Sequence, residues 1–161
     1  MTLLDRLHGF TDERFLEIYD SLSENGFGPM DAQVAKALKF RPQAIRKLPM
    51  EKRAKHARRL LAGPQSGELC YEFLGGYLVR KRLGLVTRFL DITGVPHEEG
   101  MIEDLDAAPP AGDKIAEAVG ELDKEYDPED VTLYLALCVE MWPDVEELGT
   151  VLETREAKAG A

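Results

Sequence analysis

The sequence predicts an all-α protein, an irregular bundle of about seven or eight short to medium helices. Apolar residues make up 44% of the 161 residues, and they recur every three or four positions, as on one face of a helix, rather than alternating as in a strand. Leucine occurs 22 times, against 14 for isoleucine and valine together, and leucine is the better helix former. Residues that typically start and stop helices also punctuate the chain.

The first helix is predicted to begin after Thr11. A threonine side chain can accept a hydrogen bond from an amide of the first turn, and Asp12 and Glu13 follow it where the helix dipole favours negative charge. Asn25-Gly26 supplies a left-handed stop. Three further helices are expected over residues 30–40, 42–48 and 49–63, with prolines at their boundaries because proline fits a first helical turn but not a helix interior.

Residues 66–83 are predicted to form an enclosed central helix, because apolar side chains cover much of its circumference. The glycine pair Gly75-Gly76 within it indicates close approach to another helix. Gly84 is expected to break the chain before a second apolar helix, residues 85–93, which Gly94 closes.

A second central helix is predicted over residues 128–142. Asp127-Pro128 is typical of a helix start, with aspartate as the cap and proline in the first turn. Trp142, the only tryptophan, lies at the end of this apolar helix and is therefore interpreted as a core anchor rather than an exposed binding residue.

Residues 1–152 are predicted to form a single all-α domain, since the chain length lies in the usual range for one domain. Residues 106–112 (DAAPPAG) contain two prolines among small residues and are the candidate boundary between two subdomains. After them come a helix over about residues 113–126, the second central helix and a last short helix over 143–152. Residues 153–161 are predicted to form a flexible carboxy-terminal tail.

The net charge of −10 hides an asymmetry. Residues 1–90 carry 16 basic and 10 acidic side chains, and residues 91–161 carry 4 and 20, so the two parts have net charges of +6 and −16. The densest basic segment, residues 36–59, contains ten Lys or Arg and one acid. Helical spacing places four of its cations on one face, opposite a narrow stripe of small residues. The candidate residues for binding a partner or an anion are Arg46, Lys47, Lys52, Lys55, His56 and Arg59.

An acidic stripe lies in the carboxy-terminal part. Glu117, Glu121 and Glu125 share one helix face, and like charges at this spacing cost an isolated helix about 0.2–0.5 kcal/mol per pair. The stripe indicates pairing with opposite charges, either within the chain or across a symmetric dimer. The alternative is two solvated faces, because isolated surface ion pairs contribute only about 0–1 kcal/mol.

Motifs for catalysis are missing from the sequence. It contains no phosphate-binding glycine loop, nucleophile elbow, Cys-x-x-Cys or His-Glu-x-x-His, so we predict no catalytic residues, no metal and no cofactor. The densest group of titratable residues surrounds His97, with Glu98, Glu99 and Glu103 close by. An acid–base or metal centre there is a remote hypothesis, because charge-rich loops are usually solvated surface.

The cysteines and apolar runs bear on the compartment. Cys70 and Cys138 lie in apolar surroundings and are predicted to be buried free thiols. No run approaches the ~20 apolar residues of a membrane-spanning helix, and the amino terminus lacks a secretory signal region. We therefore expect a cytoplasmic protein that does not insert into membranes.

The leading functional hypothesis is a non-catalytic protein–protein interaction or scaffold module that uses charged helix faces, with a protein partner or a second copy bound there. The alternative is an anion-binding regulator that contacts nucleic acid through residues 36–59. Nucleic acid is not favoured, because Phe40 is the segment's only aromatic residue and base stacking uses aromatic side chains.

Overall fold

A computed structural model of the protein describes residues 2–23, 29–63 and 66–159. It is 73% helical, and these segments contain no strand, which confirms the predicted all-α fold. They form ten helices, eight of them seven residues or longer. The predicted stop at Asn25-Gly26 lies outside the described residues.

The chain divides into two compact units, residues 1–80 and 81–161. The helices of the first unit are α1 (Leu3–His8), α2 (Asp12–Ser23), α3 (Pro29–Leu38), α4 (Pro42–Ile45), α5 (Met50–Leu61) and α6 (Gly67–Lys81), which ends at the boundary. Those of the second are α7 (Leu83–Thr93), α8 (Gly112–Glu125), α9 (Pro128–Met141) and α10 (Glu146–Ala159). The boundary falls at the end of α6, whereas the sequence indicated residues 106–112.

Aromatic packing holds the core of the first unit. The ring of Phe15 on α2 lies 5.3 Å from that of Phe73 on α6 and 6.5 Å from that of Tyr19, centroid to centroid. The Tyr19 hydroxyl also donates a hydrogen bond to the buried carboxylate of Asp31 on α3. These contacts join α2 to both α3 and α6.

The predicted close approach at the glycine pair is found at Gly76. A Cβ atom added there would lie 3.1 Å from Leu22 Cδ2, whereas one added at Gly75 would meet nothing within 4 Å. Only the second glycine of the pair is therefore needed for α6 to approach α2.

Helix α1 was not predicted. Thr2 and Asp5 form a capping box, in which Thr2 N and Oγ1 each donate to Asp5 Oδ2 at 2.8 Å and Asp5 N donates to Thr2 Oγ1 at 3.1 Å. The hydrogen bonds from Thr2 lower the pKa of the Asp5 carboxyl. The Thr-x-x-Asp spacing was the available sequence signal.

In the second unit α9 is buried on all sides, since residues 133–138 are consecutively buried. The ring of Tyr134 meets that of Phe89 on α7 edge-on at 5.3 Å. Helix α7 packs against α8, and α10 packs against α8 and α9. Trp142 is 5% exposed and its Nε1 donates to the Leu105 carbonyl at 2.9 Å, so it is a core residue as predicted.

The expected break at Gly84 is wrong. Helix α6 ends at Lys81, and the non-helical residue is Arg82, whose Nε lies 2.8 Å from Oδ2 of the buried Asp130. Gly84 lies inside α7, where a Cβ atom would overlap the hydroxyl of Tyr126. The glycine therefore leaves room for a tyrosine, and it does not end a helix.

The carboxy-terminal residues also differ from expectation. Residues 153–159, predicted to be part of a flexible tail, continue α10, and residues 160–161 lie outside the described segments. Arg155 donates to both carboxylate oxygens of Asp123 at 2.6 and 3.0 Å and to Thr132 Oγ1 at 3.0 Å. A planar guanidinium can make all three bonds at once, so Arg155 joins α10 to α8 and α9.

We predict that Gly84→Ala destabilises the protein by about 1–3 kcal/mol, because the new methyl group overlaps the Tyr126 hydroxyl. In a Tyr126→Phe background the same change should be neutral or stabilise by up to about 1 kcal/mol, since alanine favours the helix and the next ring atom is 3.6 Å away. Urea unfolding of all four proteins measures the coupling. An equal effect of Gly84→Ala in both backgrounds would contradict the conclusion that Gly84 leaves room for the Tyr126 hydroxyl.

We predict that Arg155→Ala lowers the free energy of unfolding by about 2–3 kcal/mol, because it removes charge-assisted hydrogen bonds from a side chain that is 16% exposed. Lys158→Ala, at an exposed position on the same helix, is the control and should change the stability by less than about 0.5 kcal/mol. Hydrogen exchange should show early loss of protection over residues 146–159 in the Arg155 variant only. Similar stability of the two variants would argue against the role of Arg155.

Candidate functional site

The basic segment lies on helices α3 to α5 of the first unit, and most of its cations are exposed. Arg53, His56 and Arg58 are half-buried. The exposed cations are Lys36, Lys39, Arg41, Arg46, Lys47, Lys52, Lys55 and Arg59. Of the six predicted binding residues, five are thus exposed and His56 is partly covered.

Helix α5 explains this exposure. Its buried residues are Ala54, Ala57 and Leu61, and through them it packs against α2 and α3. The turn of a helix places Lys52, Lys55 and Arg59 away from this small-residue face. We call these three side chains the α5 basic face.

The cations of the α5 basic face form no direct ion pair with the residues that the structure describes, although Glu51 lies one helical turn before Lys55. Within the segments that the structure describes, no ion pair or hydrogen bond involves the side chain of Lys52, Lys55 or Arg59. Arg58, one residue away, is different: its Nη1 lies 2.7 Å from Asp12 Oδ1, and its guanidinium is 5.5 Å from the centre of the Phe15 ring. Arg58 is therefore a structural cation that fixes the start of α2 against α5.

A groove with a volume of about 590 Å³ separates the outer edges of α2 and α5. Its apolar lining comes from Phe15 and Leu16 of α2, Ala54 of α5 and Ala62, which follows α5. Its charged lining includes two of the predicted binding residues, Lys55 and Arg59. The lining residues are Asp12, Glu13, Phe15, Leu16, Glu51, Ala54, Lys55, Arg58, Arg59 and Ala62. Sequence reasoning missed this groove, because Asp12 and Arg58 are 46 residues apart and no local pattern links them.

Phe40 is exposed in the turn that follows α3. Its side chain is 48% exposed, between the exposed cations Lys39 and Arg41. Phe40 N donates to the Ala35 carbonyl at 2.9 Å, and Lys39 has a φ of 57°. This hydrogen bond and the left-handed backbone of Lys39 end helix α3, and glycine is the usual residue at the left-handed position of such a helix end.

The acidic stripe on α8 has basic neighbours within the second unit. Lys114 Nζ lies 3.4 Å from Glu117, and Glu121 lies 3.0 Å from Lys124 and 3.6 Å from Arg88. The hydrogen bond from Lys124 is the main cause that lowers the pKa of Glu121, and its charge adds to the effect. Glu125 is also exposed. Local cations thus partly neutralise the predicted acidic face.

His97 is held by two hydrogen bonds in the loop between α7 and α8. Its Nε2 lies 2.7 Å from Asp91 Oδ1, and the Gly100 amide donates to its Nδ1 at 3.1 Å. With Nδ1 accepting, the neutral ring carries its proton on Nε2 and donates it to Asp91. Both nitrogens therefore stabilise the loop, and the described residues contain no group of three or more potential metal ligands from His, Cys, Asp and Glu.

Cys70 and Cys138 are both buried and neither forms a disulfide, as predicted. Burial raises the pKa of the Cys138 thiol well above its ordinary value. Both side chains are fully buried, so neither presents the exposed thiol that nucleophilic chemistry needs.

Comparison with known proteins gives no relatives: the chain matches no family model, no curated protein and no solved structure. Among the described residues, no helix has the length and apolar character needed to cross a membrane.

We predict that Lys39→Gly stabilises the protein by about 0.5–1 kcal/mol, because glycine adopts the left-handed backbone at residue 39 without a Cβ penalty. Lys39→Ala removes the same charge and keeps the Cβ atom, so it should give no such gain. Thermal unfolding of the two variants separates the backbone effect from the charge effect. Equal melting temperatures would show that the backbone of residue 39 stores no strain.

Proposed function

We propose that the protein is a non-catalytic protein–protein interaction module that binds an acidic surface of a partner through the α5 basic face. The observation that carries this proposal is the exposure of Lys52, Lys55 and Arg59 on a helix whose other side is buried, with no direct ion pair to the described residues. A rigid helix presents these charges in fixed positions, which favours recognition of a complementary surface.

The charges on this face do not serve the packing of the helix. Exposed cations on one helix face repel one another weakly, whereas the buried Ala54, Ala57 and Leu61 provide the apolar contact. Complementary charges on a partner would speed association and select against basic surfaces. Since the buried side of α5 provides the packing, the cations on its exposed side support a binding role.

A cytoplasmic location belongs to the same proposal. Cys70 and Cys138 are both buried and neither is part of a disulfide, which supports a reducing compartment. The partner in this proposal is another protein. A second copy of the chain is one such partner, because the acidic stripe on α8 of one copy could face the α5 basic face of the other.

A second candidate function, binding of single-stranded nucleic acid, is favoured by one observation. Phe40 is 48% exposed and is flanked by Lys36, Lys39 and Arg41, all exposed. Bases stack on exposed aromatic rings while nearby cations contact phosphates. A single aromatic residue offers one stacking position, so the protein partner remains the first proposal.

Two charge-reversal variants separate the candidates. The α5 variant carries Lys52→Glu, Lys55→Glu and Arg59→Glu, and the α3-end variant carries Lys36→Glu, Lys39→Glu and Arg41→Glu. Each reverses three exposed cations. Binding of labelled polyglutamate and of an oligothymidylate is measured by fluorescence anisotropy between 50 and 200 mM salt, a range over which contacts with several phosphates weaken steeply.

We expect polyglutamate to bind the parent protein and to lose about tenfold or more in affinity for the α5 variant only, since reversal adds repulsion to the lost attraction. Both variants should keep the parent melting temperature within a few degrees, because surface charges contribute little to stability. Equal losses for the two variants would contradict a specific role of the α5 basic face. Tight oligothymidylate binding that the α3-end variant abolishes would favour the second candidate instead.

A further inference from the structure

The groove between α2 and α5 has the shape of a site for a third helix. Asp12 in the first turn of α2 contacts Arg58 in the last turn of α5, so the start of one helix lies beside the end of the other. The groove extends along α5 from Glu51 to Ala62, the residue after the helix, and its other side is the start of α2, residues 12–16. Ala54 and Ala62 are the small side chains along it. Small side chains let a third backbone approach closely, and helix-in-groove docking is a common mode of peptide recognition.

The two walls of the groove differ in charge. The α2 wall contributes Asp12 and Glu13, and Asp12 is already paired with Arg58. The α5 wall contributes the exposed cations Lys55 and Arg59 near its carboxy-terminal end, with Glu51 a turn before Lys55. An occupant therefore meets unpaired positive charge on one side and the negative charge of Glu13 on the other.

The floor between the walls is apolar. Phe15 and Ala54 lie buried at its base, and the half-buried Leu16 and the exposed Ala62, which follows α5, offer the accessible apolar surface. Phe15 is held in place by the Phe73 ring and by the Arg58 guanidinium. The floor is thus fixed before any partner binds, which reduces the entropy cost of docking.

We propose that this groove docks an amphipathic helix of a protein partner, with apolar residues on the floor, carboxylates facing Lys55 and Arg59, and basic residues facing Glu13. The proposal rests on the proposed function and deepens it, since it adds an apolar contact and fixes the direction in which the acidic partner helix lies. Reversing the partner helix end for end would place its carboxylates against Glu13, so the groove selects one orientation.

The probes are three synthetic helices, of which the first two carry leucines at positions i, i+4 and i+7. One carries glutamates on one flank and lysines on the other, the second carries lysines on both flanks, and the third has the flanks of the first but serines in place of leucines. Fluorescence anisotropy measures their binding to the full chain. We expect the first peptide to bind about tenfold or more tightly than either of the others, because only it satisfies both walls and the floor.

Two pairs of protein variants locate the site. Lys55→Glu with Arg59→Glu reverses the groove wall, and Lys36→Glu with Lys47→Glu reverses two exposed cations that neither line the groove nor belong to the α5 basic face. The first pair should weaken binding of the Glu/Lys peptide about tenfold or more and the second less than about threefold. Ala62→Phe, at an exposed position that lines the groove, should also weaken binding about tenfold by filling the trough.

Several results would overturn the groove while leaving the proposed function in place. Equal losses of peptide binding for the two pairs, with polyglutamate still bound by the parent protein, would indicate diffuse attraction to the basic segment. A dissociation constant weaker than about 1 mM for the Glu/Lys peptide, with polyglutamate still bound, would exclude a helix site. Light scattering could detect a dimer of the parent that the Lys55→Glu/Arg59→Glu variant does not form. This result would show that the groove binds a second copy of the chain and not a different protein. If the parent protein does not bind polyglutamate at all, the proposed function itself is wrong.

Discussion

The close packing of the alanine face of α5 is the constraint on which the first unit's surface depends. Ala54 and Ala57 are buried, and Leu61 continues the same stripe, so α5 lies against α2 and α3 with little side chain between the backbones. A helix held this closely on one side has only one direction left for its long charged residues. The α5 basic face, the paired Arg58 and the adjoining groove all follow from this orientation.

In the second unit a polar contact holds the helices against one another. Arg155 reaches Asp123 on α8 and Thr132 on α9 from α10, so one guanidinium sets the relative positions of three helices. The acidic stripe on α8 lies on the solvent side of this arrangement, and Lys124 and Arg88 lie close to Glu121. Its charge is thus partly neutralised by direct ion pairs, whereas Lys52, Lys55 and Arg59 form no direct ion pair with the described residues.

Local signals predicted those elements whose cause is local. The Asp127 side chain accepts from the Glu129 amide with Pro128 in the first turn, and Gly94 has the expected left-handed φ of 79°, because caps and turns depend on the adjacent residues alone. The errors arose where a distant residue decided the outcome. Gly84 makes room for Tyr126, and residues 153–159 are helical because Arg155 has partners more than 20 residues away.

The sequence by itself determined the all-α fold, the two stripes of α5 and the position of the cations, because helical periodicity links residues three and four positions apart. It did not determine which cations would be free to bind. Arg58 and Arg59 are neighbours with the same chemistry, yet Arg58 is paired with Asp12 and lies on Phe15, while Arg59 is exposed at the groove. Only tertiary packing brings α2 beside α5, and the groove exists only between them.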